Sequence, residues 1–179
     1  MAAELIASAP EGVGAPAFGA DGSLYVVVSS EGTICRVDEG AGDVVEVSRS
    51  SGQLAGMTVD ASGAAYVADL ALGALMQRAS GPDDGAVAAD AGADALAWET
   101  TVVEYEGEPL LGPSSVAVAG TGTVYFTDSG PLGASTLEHP TGSVMAVVGS
   151  GGARYLKPLV LRSLAHPCAV AVGADDSVV

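Results

Sequence analysis

Apolar and polar residues along this chain alternate in short bursts broken by glycine-rich turns. Val116 and Val118 alternate with alanines, the turn Ala119-Gly120-Thr121-Gly122 follows, and Val124-Tyr125-Phe126 resume the apolar pattern up to Asp128. This predicts two short antiparallel strands joined by a tight reversal. The same pattern recurs as PAFGADGSLYVV from Pro16, MTVDASGAAYVAD from Met57, VAVAGTGTVYFTD from Val116 and VAVGADDSVV from Val170. In each copy an apolar residue (Phe18, Val59, Val118, Val172) stands seven positions before Tyr25, Tyr66, Tyr125 or Val179.

A fixed register repeated in this way reads as one supersecondary unit, repeated because a single sheet cannot bury its own faces. The copies lie 41 residues apart from Tyr25 to Tyr66, 59 from Tyr66 to Tyr125 and 54 from Tyr125 to Val179, lengths that suit four-stranded propeller blades, the longer two carrying insertions. Outer strands of the first unit are predicted at 32–37 and 43–47, flanking the acidic tip Asp38-Glu39-Gly40-Ala41-Gly42, and further strands at 64–68, 74–78, 101–105, 143–148 and 155–164. The expectation is an all-β fold, a partial β-propeller of about three four-stranded blades plus the start of a fourth. The whole chain, 1–179, is read as one incomplete domain with blades at approximately 10–52, 53–110 and 111–164 and the start of the next at 165–179. Ser177-Val178-Val179 then forms an apolar strand without outer neighbours, an edge that invites association.

Composition supports a folded domain: 49 % of the 179 residues are hydrophobic and mean hydropathy is +0.41. The 25 Gly and 9 Pro keep apolar runs far below the ~18 residues of a membrane span. With only 4 % aromatics the core rests on Val, Ala and Leu. The formal charge of -16, from 22 acidic against 6 basic residues, repels phosphate backbones and so excludes nucleic acid as a partner, while a basic protein surface stays admissible. Cys35 and Cys168 form no ligand-spaced cluster and read as buried thiols, with one disulfide between them the alternative. The opening MAAELIASAPEG lacks a basic region and a sufficient apolar stretch for a secretory signal, which gives a cytoplasmic or other intracellular location as the expectation.

Little in the sequence carries catalytic chemistry by itself. Asp83, Asp84, Asp90 and Asp94 lie in SGPDDGAVAADAGADALA, which lacks the regular DxDxDG loop and reads as an acidic insertion. Trp98, beside it, is expected to anchor its blade. Glu138 and His139 have no partner nucleophile in their motif and are expected to face solvent. Ser114-Ser115 lack the G-x-S-x-G elbow, and His139 and His166 make no short zinc pattern.

One stretch resembles a known family. Glu106-Gly107-Glu108-Pro109-Leu110-Leu111-Gly112-Pro113 followed by Val124-Tyr125-Phe126-Thr127-Asp128-Ser129-Gly130-Pro131-Leu132-Gly133 looks like the SMP-30/gluconolactonase/LRE-like family, related to strictosidine synthase-like and NHL-repeat propellers. Leu156-Lys157-Pro158-Leu159 and His166-Pro167-Cys168-Ala169-Val170-Ala171-Val172 fit the following blade. The resemblance implies half of a six-bladed, calcium-dependent ring. It implies an axial divalent cation, calcium or zinc, held by a Glu near the first blade, two Asn at the starts of inner strands and an Asp of a later blade. Those positions match Glu11, Ser114 and Cys168 here, with the Asp expected beyond Val179.

Ser114 and Cys168 replace amide oxygen with a hydroxyl and a soft thiol, poor donors for a hard cation. The function expected is therefore a divergent propeller that has lost most of its metal site and acts as a non-catalytic binding or assembly module, with protein partners or a homo-oligomer completing the ring. The alternative is a divalent-metal-dependent hydrolase of a small lactone or ester, its remaining site residues lying outside this chain.

Overall fold

The computed structural model describes residues 5, 7–78, 98–149 and 151–179. The acidic insertion expected at 80–97 falls outside the described residues. Three four-stranded sheets are built as antiparallel meanders. The first contains β1 (Val13–Phe18), β2 (Leu24–Val28), β3 (Thr33–Asp38) and β4 (Asp43–Arg49); the second, β5 (Leu54–Val59), β6 (Ala65–Asp69), β7 (Ala74–Arg78) and β8 (Glu99–Val102). After a small hairpin of β9 (Glu104–Tyr105) and β10 (Glu108–Pro109), the third contains β11 (Pro113–Val118), β12 (Val124–Asp128), β13 (Gly142–Val148) and β14 (Tyr155–Leu164). No α-helix is present among the described residues.

The turn chemistry explains why the register repeats. Gly19, Asp60, Ala119 and Gly173 each pair their N–H with the carbonyl four residues on, at 2.7 to 2.9 Å. Each also accepts from the N–H of Gly22, Gly63, Gly122 or Asp176, and these four residues have φ of +84°, +85°, +81° and +59°. That left-handed conformation costs glycine least, and Asp tolerates it better than most side chains. Asp21, Asp60 and Asp175 brace their turns by accepting from the N–H of Ser23, Ser62 and Ser177. The fourth copy thus makes the same turn, closed by the Val172–Val178 bridge.

The sheets pack face to face. Tyr25, Val27 and Ile34 of the first meet Leu54, Met57, Val67 and Met76 of the second. The other face of the second carries Tyr66 and Leu75, which meet Val116, Phe126, Met145 and Val147 of the third. Alternation along each strand sends the repeat tyrosine toward the following sheet and its neighbour toward the preceding one. Tyr25 and Tyr66 are therefore fully buried, whereas in the third unit Phe126 is buried and Tyr125 only half-buried. Trp98 packs against the first core cluster and its Nε1 donates to Ser48 Oγ at 3.3 Å, tying the second sheet to the first. Arg154 ties the third to the second through Gln77 Oε1 at 2.6 Å.

One expected strand is broken. The continuous run at 101–105 divides at Val103 into the end of β8 and the start of β9, and β9 turns back onto β10 through Glu106 at φ +54° and Gly107 at φ +82°.

The inner strands β1, β5 and β11 stand side by side, and the β5–β11 approach depends on Gly56. A Cβ there would lie 2.8 Å from the Ser114 carbonyl oxygen and 2.9 Å from Ser115 Cα, both backbone atoms, whereas one at Gly14 of β1 would meet nothing within 4 Å. Gly56→Ala is expected to lower stability by about 1–3 kcal/mol, the usual range for overpacking. Gly14→Ala should change it little, and urea denaturation of the two variants checks the contrast.

Candidate functional site

Glu11 lies just before the start of β1 and Ser114 near the start of β11, the end at which each inner strand begins. Three units fix this end alike: Ser29 N–H donates to the Gly12 carbonyl at 3.4 Å, Leu70 to Gln53 at 2.9 Å and Ser129 to Gly112 at 3.4 Å. Glu11, one residue before Gly12, is exposed in the turn leading to β1. Ser114 lies in β11, and Cys168 occupies the equivalent place in the fourth unit. The fourth segment lies beside β11, since Val170 N–H donates to Ser115 Oγ at 3.2 Å.

Ser114 is half-buried in a network of hydroxyls. Its Oγ donates to the Pro167 carbonyl at 3.2 Å and lies 2.9 Å from Thr127 Oγ1 and 3.3 Å from Ser129 Oγ. Thr127 Oγ1 in turn accepts from Ser115 N–H at 3.0 Å. The hydroxyl is thus committed to joining β11, β12 and the fourth segment.

Cys168 departs from the expectation of two buried thiols. Cys35 is buried against Val26 and Val28, and desolvation pushes its thiol pKa up. Cys168 is exposed, ahead of the paired stretch at Val172–Val178 of its segment. Both are free, so the disulfide alternative is not realised. Glu138 and His139 are exposed, as the sequence suggests, on a loop fastened by Ser135, whose Oγ donates to the Leu164 carbonyl at 2.7 Å.

Two carboxylates at this end emerge only from the structure. Asp69, fully buried, accepts from Gln53 N–H and Leu72 N–H, each at 3.0 Å, and from Ser50 Oγ at 3.0 Å. Asp128, 4 % exposed, accepts from Leu111 N–H at 3.1 Å and Gly112 N–H at 2.8 Å. Each stands three residues after its repeat tyrosine, a shared offset visible in the sequence, and each holds the link entering the inner strand of its sheet. The first sheet has Val28 at this place. Burial raises the Asp128 pKa above 3.8, against the pull of its two backbone donors and of Arg162.

Among the described residues no three His, Cys, Asp or Glu side chains converge as a metal would require. Glu11, Ser114 and Cys168 supply one carboxylate, one hydroxyl already in use and one thiol. Calcium takes six to eight oxygens and zinc sites are built from several S, N or carboxylate ligands, so these residues do not fit either ion.

No protein-family model matches the sequence and no curated protein matches it significantly. Solved structures do match. A structure described as a gluconolactonase superposes with a TM-score of 0.66 at 15 % identity, over 93 % of this chain and 54 % of that one. A gluconolactonase from Xanthomonas campestris gives 0.60 at 16 %, over 93 % and 68 %, and a chain of the nidogen/laminin complex gives 0.63 at 17 %, over 91 % and 53 %. The chain has the β-propeller fold. At these identities the likeness is one of fold, and the propeller segment described here spans about half the length of the first and third of these structures. No described helix of this propeller is long and apolar enough to cross a membrane.

The raised pKa of Asp128 gives a pH signature. The folded propeller holds that proton more tightly than the unfolded chain, so the contribution is full below 3.8 and is lost as pH rises through the raised folded value. Asp128→Asn, which does not titrate, should cost most stability at low pH and progressively less toward neutrality. Urea midpoints of both proteins across that range measure this.

Proposed function

We propose that this chain is an SMP-30/gluconolactonase-like propeller that has lost most of the axial metal site and works as a non-catalytic binding or assembly module. The observation that carries the reading is the state of Ser114. Where the resembled family implies an amide ligand, this chain places a hydroxyl bound to its own neighbours, with an exposed thiol at the next equivalent position. Freeing Ser114 for a cation would leave Thr127 and the Pro167 carbonyl short of a partner, at a cost of about 1–3 kcal/mol per buried group. The partners proposed are proteins or further copies of this chain. A net charge of -16 argues for a basic surface and against nucleic acid.

A second reading is a divalent-metal-dependent lactone or ester hydrolase whose remaining ligands lie outside this chain. The two gluconolactonase structures with the same fold favour it.

Thermal unfolding with calcium, zinc and magnesium separates the two, because a ligand specific to the folded state must raise the melting temperature. The binding-module reading predicts no saturable shift with any of the three and no hydrolysis of aldonolactones. A saturable rise accompanied by lactone turnover would replace it with the hydrolase.

A further inference from the structure

A cavity of about 220 Å³ opens between the β9–β10 hairpin, with the link that follows it, and the third sheet; Glu11, Ser114 and Cys168 do not line it. Its floor is apolar, formed by Leu110, Leu111 and Met145. Charge of both signs lines it: Asp128 and Glu108 are acidic and Arg162 is basic.

Arg162 is placed there by an irregularity. Gly142 pairs with Leu164 while Val144 pairs with Val160, so β14 carries extra residues between these points and bulges. Arg162 lies in the bulge at φ +47°, a conformation unfavourable for a long side chain, and its N–H is held by Ser143 Oγ at 2.9 Å. Bulges of this kind re-aim a side chain, and strained residues cluster where a ligand is held. The Arg162 guanidinium makes no ion pair among the described residues, in a chain with only 6 basic residues.

Asp128 shows the complementary feature. Its counterpart Asp69 accepts from three donors, including Ser50 Oγ, whereas Asp128 has two, both backbone, and borders the cavity. A carboxylate has acceptor sites for about four donors, so Asp128 keeps room for more.

We infer that this cavity binds a small apolar α-amino acid as its zwitterion, the ammonium facing Asp128 and Glu108, the carboxylate facing Arg162 and the side chain lying on Leu110 and Met145. A simple anion would face two carboxylates against one guanidinium and a simple cation would leave Arg162 unused, so a zwitterion matches both. The volume lies below the ~300–1,000 Å³ of sites for drug-sized ligands, which suits a molecule of amino-acid size. The inference does not rest on the metal positions Glu11, Ser114 and Cys168.

The test is an NMR titration of the whole chain with L-leucine. Saturable shifts of the Leu110, Leu111, Ser143 and Met145 amides are expected. Leucinamide, lacking the carboxylate, and 2-hydroxy-4-methylpentanoate, lacking the ammonium, should each bind about tenfold more weakly or worse, a loss of about 1.4 kcal/mol. Arg162→Gln should weaken leucine binding by at least about the same factor while keeping the dispersed spectrum of the folded protein. Should Arg162→Gln fail to fold, Glu108→Gln serves instead, on an exposed residue, with weaker leucine binding expected and unchanged binding counting against the site. Absence of saturable shifts with leucine, equal binding of leucinamide, or full binding by folded Arg162→Gln would overturn the inference.

Discussion

The structure depends on buried carboxylates that grip the links between sheets. A chain of successive meanders must leave one sheet at its outer strand and return to the axis to begin the next, and the returning segment exposes backbone N–H groups at the point where it turns inward. Asp69 and Asp128 accept those N–H groups from within their own second strands. A buried carboxylate is costly unless it is hydrogen-bonded, and a buried N–H is costly unless it is accepted, so each satisfies the other. The arrangement around Asp69 leaves no space for a side chain at Gly52, where a Cβ would collide with the carboxylate. Fold and site meet here, because the gripped links determine where β5 and β11 begin and hence where Ser114 sits.

Between the gripped ends, cohesion comes from small apolar side chains in quantity. The largest fully buried residues are Tyr25, Tyr66 and Phe126, one contributed by each sheet, and the rest of the core is mainly Val, Ala, Leu and Met. Such a core buries little area per residue, and the polar ties from Trp98 to Ser48 and from Arg154 to Gln77 are placed where neighbouring sheets must not slide. The third sheet's Tyr125 is directed toward the position of a following sheet, which accounts for its partial exposure in a unit whose sequence otherwise repeats the pattern most fully.

Much of this architecture was legible in the sequence because turn chemistry and alternation are local. The Ala119-Gly120-Thr121-Gly122 reversal and its three sister copies prescribe a backbone that a few residues settle among themselves, and the structure makes the same hydrogen bonds in all four. Where tertiary contacts decide, the sequence was silent or misleading. The run at 101–105 has the alternation of one strand, but it breaks at Val103, and its last two residues pair instead with Glu108–Pro109 across the Glu106-Gly107 turn. Cys168 has the apolar neighbours of a buried thiol yet is exposed. The candidate site was legible only as positions in the repeat, Ser114 and Cys168 standing at the same offset, whereas the engagement of the Ser114 hydroxyl depends on Pro167, distant in sequence. The shared offset of Asp69 and Asp128 was present in the sequence, but burial gives it meaning. No periodicity announces Arg162, because a bulge is a departure from period.

Native-state hydrogen exchange tests the carboxylate grip most directly. The amides of Gln53, Leu72, Leu111 and Gly112 lie in links and turns, where exchange is ordinarily fast, yet each donates to a buried carboxylate. The account predicts that they exchange as slowly as the amides of the central strands β6 and β12, opening only with the sheets themselves. Exchange at the rate of the exposed 130–142 loop would contradict it.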